Sequence, residues 1–173
     1  MSITEVKIVT KPALLARRNI VFSQDDIKSG VAASIAAELK ATAKLLDAKR
    51  PRNKKILGLS ATQIDIPKTV CIVRKNSGRW ITMINPTVEN LSSEAIINYE
   101  TCLSFPDKPF EVTRHKSVTV KYYNEKGKLI LKTFKGKLGR RVEHELDHIN
   151  GVVPSKRQFE KGALYVASRK RGF

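Results

Sequence analysis

Apolar residues return along this chain with two different periods, and the change of period divides it. Ile27, Val31, Ile35, Leu39 and Leu45-Leu46 recur at near-helical spacing and predict a helix from about Asp25 to Ala48. Ser23-Gln24-Asp25-Asp26 reads as a capping-box variant with acids in the first turn, and Gly30 weakens the helix locally. Ahead of it lie an extended segment, Ile3 to Ile8, and a turn around Pro12; behind it the run Lys49 to Lys55, broken by Pro51, reads as a loop. From Val70 the texture is that of strands. Val70 to Val73 and Trp80 to Ile84 flank the turn Asn76-Ser77-Gly78 as a hairpin that Asn85-Pro86 ends. Glu94 to Tyr99 forms a further strand, and Val118 to Tyr123 and Lys128 to Phe134 alternate around Glu125-Lys126-Gly127 as a second hairpin. The last helix starts near Lys137. Leu138, Val142, Leu146 and Ile149 are its core stripe, and Asn150-Gly151 supplies its stop.

With 173 residues, 41% of them hydrophobic, the chain fits one globular domain over 1–173 that ends in a short basic tail, 152–173. No apolar run approaches the ~18 residues that a membrane helix needs. Of the two cysteines, Cys71 falls in an apolar strand and reads as buried, and no secreted disulfide framework is indicated. The N-terminus lacks the apolar core of a signal peptide. Lys11 to Arg18 is basic, but Glu5 and Asp25-Asp26 flank it, against a transit peptide, so the cytoplasm is the expected location. A formal charge of +17 favours a polyanionic partner such as RNA or a ribosome surface, with clusters at Lys49 to Lys55 and Arg169-Lys170-Arg171. No aromatic ladder accompanies them, so base stacking is not indicated. The plain alternative is that the excess lysine only keeps the protein soluble.

Charge gives way to chemistry at Glu143-His144-Glu145-Leu146-Asp147-His148. On a helix, residues four apart lie about 40° apart around the axis, so His144 and His148 can reach one metal ion. Glu145 stands roughly 100° from His144, near enough to address a water at that ion without being a ligand. Only three histidines occur in the chain, and two of them bracket this motif. Cys102, in a segment Glu100 to Pro106 that reads as a loop, is by itself either a third ligand or an ordinary half-buried thiol. Ile56 to Pro67, apolar with a single amide, reads as a buried turn in which Gln63 satisfies local backbone.

Taken in order, Gly58-Leu-Ser-Ala-Thr-Gln63, Glu100-Thr-Cys-Leu-Ser104 and His144-Glu-Leu-Asp-His148 resemble the three motifs of peptide deformylase, G-x-G-L-A-A-x-Q, E-G-C-L-S and Q-H-E-x-D-H-x-x-G. Ile8-Val9-Thr10-Lys11-Pro12 and Leu15 resemble the family's opening, so the likeness runs from Ile3 to Gly151, and the short segment after Gly151 resembles that of phage-encoded members. The resemblance implies an α+β fold in which antiparallel β-sheets pack around a central helix bearing the His-Glu-x-x-His. It implies hydrolysis of the N-formyl group of formyl-methionyl nascent peptides by a monomeric, cytoplasmic enzyme that can dock on ribosomal RNA through its basic surface. Cys102, His144 and His148 match the ligands of one divalent metal ion, Fe2+ in the family's physiological form, with Zn2+, Ni2+ or Co2+ able to take its place. Glu145 matches the general base, and Gln63 and the backbone N–H of Leu103 match the donors to the oxyanion. Leu57, Gly58 and Arg141 fall on the substrate side.

Ile56 and Thr101 stand where the family has glycines, Ser60 where it has alanine, Glu143 where it has glutamine, and Arg141 where an apolar residue is common. Two alternatives stand beside this reading: a zincin-type metalloprotease, which needs a peptide cleft, and a noncatalytic RNA- or ribosome-binding protein, which the charge alone supports.

Overall fold

The computed structural model describes residues 7–153. Four α-helices, α1 (Pro12–Leu15), α2 (Gln24–Lys28), α3 (Val31–Ala48) and α4 (Gly136–Ile149), accompany seven strands. The strands are β1 (Gly58–Ser60), β2 (Val70–Arg74), β3 (Trp80–Leu91), β4 (Ala95–Cys102), β5 (Phe105–His115), β6 (Ser117–Tyr123) and β7 (Leu129–Lys135). Five of them form an antiparallel sheet in the order β1-β2-β3-β6-β7, while β4 and β5 pair only with each other. This is the expected α+β architecture.

β2 explains how the sheet holds both long helices. Val70 and Ile72 join Ala32, Ala36, Leu39 and Ala43 of α3 in one core. Cys71 and Val73, one residue out of phase, join Val142, Leu146 and Ile149 of α4 in another. Successive strand side chains point to opposite faces, so a strand covered on both must be apolar throughout. That is why Val70 to Val73 carries no alternation, and Cys71 is buried as expected. The α4 stripe packs as predicted, with Leu138 partly buried at its start, and the helix stops at Asn150-Gly151.

Several expectations need correction. The helix predicted over Asp25 to Ala48 is two helices, because Gly30 adopts φ +86° and turns the chain between them. The capping box itself forms: Ser23 Oγ accepts from Asp26 N–H, and Asp26 Oδ2 accepts from Ser23 N–H. Asn85-Pro86 does not end β3, which continues to Leu91. The ladder to β6 shifts register between Ile84 and Thr87, so proline's missing N–H falls where no ladder bond is needed. Asn85, at φ +48°, ties the bulge down through Phe22 and Thr69. Glu100 to Pro106 is not a loop but the end of β4, a tight turn and the start of β5, a strand that the periodicity does not announce. The turn at Pro12 is the first residue of α1. Of the extended segment Ile3 to Ile8, residues before Lys7 lie outside the described residues, as does the basic tail beyond Val153. Among the described residues no helix is long and apolar enough to cross a membrane.

Gly30 and Gly151 both hold positive φ, but only Gly151 is crowded: a β-carbon there would stand 2.8 Å from the Ala16 carbonyl oxygen, against open space at Gly30. Gly30→Ala should therefore lower the unfolding free energy in urea by about 1 kcal/mol, the left-handed backbone cost alone. Gly151→Ala adds a clash with fixed backbone and should lose at least about 2 kcal/mol. Equal losses would show that the crowding at Gly151 is relieved without cost.

Candidate metal centre

α4 presents two faces. One is the apolar stripe that fixes it to the sheet; the other carries His144 and His148 toward the β4–β5 hairpin, while Glu145 beside them meets Gly58 and Ser60 of β1. Cys102 closes β4 and meets them there. Its Sγ lies 3.2 Å from His148 Nε2, and one ligand atom from each of Cys102, His144 and His148 lies within 4.8 Å of the others. A thiol and two imidazoles converging in a buried place fit a transition-metal ion by their donor chemistry.

The surroundings orient the donors. His144 Nδ1 is 2.9 Å from Glu100 Oε2. Burial pushes the Glu100 carboxyl up, but hydrogen bonds from His144 and Arg114 outweigh it and hold the pKa at about 2, so Glu100 is a carboxylate and His144 Nδ1 carries the proton. His144 Nε2 is thereby left as the donor to a metal. Arg114 clamps Glu100 from the other side through Nε at 3.0 Å and Nη2 at 2.8 Å, and its Nη1 reaches Asp147 Oδ2 at 2.5 Å. One turn earlier on α4, Glu143 takes the His115 backbone N–H at 2.9 Å and lies 3.0 Å from His115 Nδ1. The family's glutamine position thus holds a buried carboxylate paired with the third histidine of the chain.

Glu145 is buried beside this group. Burial raises its carboxyl to about 6, against the pull of the neighbouring His144 and of Ser60. Ser60 Oγ donates to Glu145 Oε2 at 2.7 Å. Gly58 makes room for the same carboxylate, since a β-carbon at Gly58 would overlap Glu145 Oε1. Gln63 satisfies local backbone, as one of its readings has it. Its Oε1 accepts the Ser60 backbone N–H at 3.0 Å, while Nε2 donates to Ser104 Oγ at 3.2 Å and faces Cys102 Sγ at 3.6 Å.

Gln63, Glu100, Cys102, His144 and Glu145 line an open cleft of about 620 Å³ together with Leu57, Gly58, Leu103 and Arg141, and His148 lies behind them against Cys102. All the residues expected from the sequence are thus brought to one place. Arg141 is tethered there, its Nη1 donating to the Arg74 carbonyl at 2.8 Å and to Asn76 Oδ1 at 3.1 Å. The two replaced glycines cause no strain. Thr101 occupies the register shift between the Glu100 and Cys102 pairings, Ile56 is core, and neither has positive φ. Sequence reasoning missed Ser60 as a partner of Glu145, and it missed Arg114 altogether. The available signal for Arg114 was Phe110, Val112 and Arg114 alternating inward on a strand not predicted.

Comparison with known proteins gives one consistent result. A family model described as polypeptide deformylase matches residues 17–161. The peptide deformylase of Thermotoga neapolitana is 34% identical over 123 residues, 67% of this chain and 74% of that protein. Others, from Thermotoga petrophila and Synechocystis, align over 58% and 65% of their own length. Among solved structures, the Met-Ala-Ser-bound class I type b peptide deformylase of Acinetobacter baumannii has a TM-score of 0.75 at 29% identity, covering 91% of this chain and 99% of that one. A probable peptide deformylase from Synechococcus phage S-SSM7 has a TM-score of 0.72 at 26% identity, covering 88% and 99%.

Arg114→Ala should show how far the centre leans on one guanidinium. Breaking a buried charge pair typically costs about 3–5 kcal/mol, and loss of a partner behind a metal ligand about 10–100-fold in metal affinity. Urea unfolding of the metal-free protein and a competitive metal titration should register both. An unchanged metal affinity would show that Glu100 orients His144 without Arg114.

Proposed function

The chain belongs to the peptide deformylase family, metallohydrolases that remove the N-formyl group from nascent peptides, and we propose that Cys102, His144, His148 and Glu145 carry that reaction here. The observation that carries this reading is the meeting of Cys102 with the two α4 histidines next to a buried carboxylate at the floor of a cleft. A bound divalent ion supplies Lewis acidity, polarising the formyl carbonyl and making water a better nucleophile. Fe2+ is the proposed physiological ion. The thiolate-imidazole set also accepts Zn2+, Ni2+ or Co2+.

The chain's own residues supply the rest. Glu145, with its pKa raised toward neutrality, takes the proton from the attacking water and passes it to the departing amine nitrogen. Ser60 fixes one carboxylate oxygen and the bare backbone of Gly58 leaves space for the other, so the proton acceptor is held before substrate arrives. Gln63 is clamped through its Oε1 and through one Nε2 hydrogen given to Ser104, and the Nε2 hydrogen that faces Cys102 Sγ is the donor for the place where the formyl oxygen gains charge; the Leu103 backbone N–H is the second donor. Leu57, Gly58 and Arg141 line the path of the peptide. We place the enzyme in the cytoplasm as a monomer with one catalytic domain, where formyl-methionyl chains emerge from the ribosome. The basic tail that would assist docking there falls outside the described residues.

The metalloprotease alternative usually recruits a third His or Glu downstream of the helix, whereas here the donor that meets the two histidines is Cys102, from upstream. The noncatalytic alternative leaves unexplained why ligands, base and amide are all assembled.

Protein prepared without oxygen and loaded with metal should release formate from formyl-Met-Ala-Ser and leave internal peptide bonds intact. Glu145→Ala should retain stoichiometric metal while losing about 10²–10⁴-fold in turnover, the usual range for a positioned acid–base group. Activity within a few fold of wild type would remove Glu145 from the proton path. Cys102→Ala should lose metal along with activity, and metal analysis of the purified variant decides it: unchanged stoichiometry and affinity would exclude the thiolate as a ligand.

A further inference from the structure

The cleft above Glu145 has walls of one sign. Arg50, Lys54 and Lys55 line it from the loop before β1, and Lys137, Arg140 and Arg141 line it from α4. On the helix these last three stand seven, four and three residues before His144, so they form a cationic stripe that ends at the metal centre. The carboxylates in the same cleft are already engaged, Glu100 with Arg114 and His144, and Glu145 with Ser60. Among the described residues Arg140 comes no nearer to a carboxylate than 4.0 Å from Glu100, and the other five form no ion pair.

Two of these cations are placed at a cost. Arg140 is only 31% exposed, its Nη1 donates to the neutral Asn98 Oδ1 at 2.7 Å, and its Nε is shielded from water with no hydrogen-bond partner. Arg141, beside it, is held by the neutral Arg74 carbonyl and Asn76 amide. Burial and the Arg140 charge both depress its guanidinium below the usual arginine range. A charge kept only for solubility has no need to sit half-sheltered beside a like charge. An anion delivered into the cleft would offset both costs.

We propose that this cleft selects formyl-methionyl peptides whose next residues are acidic. The inference rests on the deformylase reading of the same site. The aliphatic stems of Lys137 and Arg140, with Leu57 and Leu103, can cover a methionine side chain while the cationic heads, none of them neutralised by a close carboxylate among the described residues, supply the field for the residues beyond it. Nucleic acid is the other polyanion that cations attract. The stripe, however, runs inside the peptide's own cleft and terminates on the groups that perform the hydrolysis.

The test compares formyl-Met-Glu-Glu, formyl-Met-Gln-Gln and formyl-Met-Lys-Lys on the full-length, metal-loaded protein. At low salt kcat/KM should favour Glu over Gln by about tenfold and place Lys below Gln, with the preference shrinking toward parity at about 1 M salt as the charges are screened. The double variant Lys137→Gln/Arg140→Gln should reduce the Glu-to-Gln ratio to about twofold or less. Equilibrium binding of the product peptides Met-Glu-Glu and Met-Gln-Gln should show the same order without turnover. If no peptide releases formate, the deformylase reading fails, and the product-binding ratio alone then decides the charge selection. Equal kcat/KM for the Glu and Gln peptides at low salt, or a preference that survives the double variant, would overturn the proposal. Inhibition by a short RNA without any Glu preference would overturn it too, assigning the stripe to nucleic acid.

Discussion

Arg114 is the buried cation in the set of bonds that ties the two parts of the candidate metal centre together, beside those of Glu143 to His115 and of Arg140 to Asn98. The thiol comes from a two-stranded hairpin and the imidazoles from a helix, and no backbone ladder joins that hairpin to the main sheet. Arg114 crosses the gap within the polar layer between them, gripping Glu100 on the hairpin and Asp147 on the helix, while Glu100 in turn holds His144. Buried charges of this kind are weak contributors to net stability, because desolvation consumes most of the attraction. Their value is directional. An apolar substitute can fill the space but cannot fix which nitrogen of His144 faces Cys102.

How legible such a centre is depends on whether its parts repeat along the chain. α4 was legible because one helix carries both its apolar stripe and the His-Glu-x-x-His, each at helical spacing. Cys102 was not, since a lone cysteine has no period; only the resemblance of Glu100-Thr-Cys-Leu-Ser104 to a family motif raised it above an ordinary thiol. β5 was hidden because Pro106 and Pro109 interrupt its start and Arg114 occupies an inward position where an apolar residue is expected. The helix break at Gly30 and the bulge at Asn85-Pro86 are single backbone events. In one the glycine permits a left-handed turn that composition alone does not demand, and in the other a proline is tolerated by a register shift.

Gln63 shows a different limit. Satisfying local backbone and serving a reaction were opposed readings in the sequence, yet the amide does the first with its oxygen, and the second, as proposed, would fall to its nitrogen. Ser60 sits at the centre of that coupling. Its backbone N–H anchors Gln63, and its hydroxyl anchors Glu145. One residue of β1 thus sets the positions of both groups that would handle proton and charge, so its departure from the family's alanine adds a contact without removing one.

The separateness of the β4–β5 hairpin bears on how the molecule opens. Its apolar cluster of Cys102, Phe110 and Val112 is distinct from the two large cores, and its base is tied to the neighbouring strands by Ser92, Glu94, Lys116 and Ser117. A unit tied this way can detach as a local unfolding event while the five-stranded sheet stays intact, and the amide protons of β4 and β5 would exchange with solvent at a rate reporting that event alone. An ion held by Cys102 and the α4 histidines would bind only the closed form, so each increment of its free concentration would weight the ensemble toward closure. Metal availability in the surroundings would thereby be a thermodynamic variable of the hairpin's dynamics, and the metal-free protein would expose its cysteine strand to solvent, oxidants and proteases more often than the loaded one.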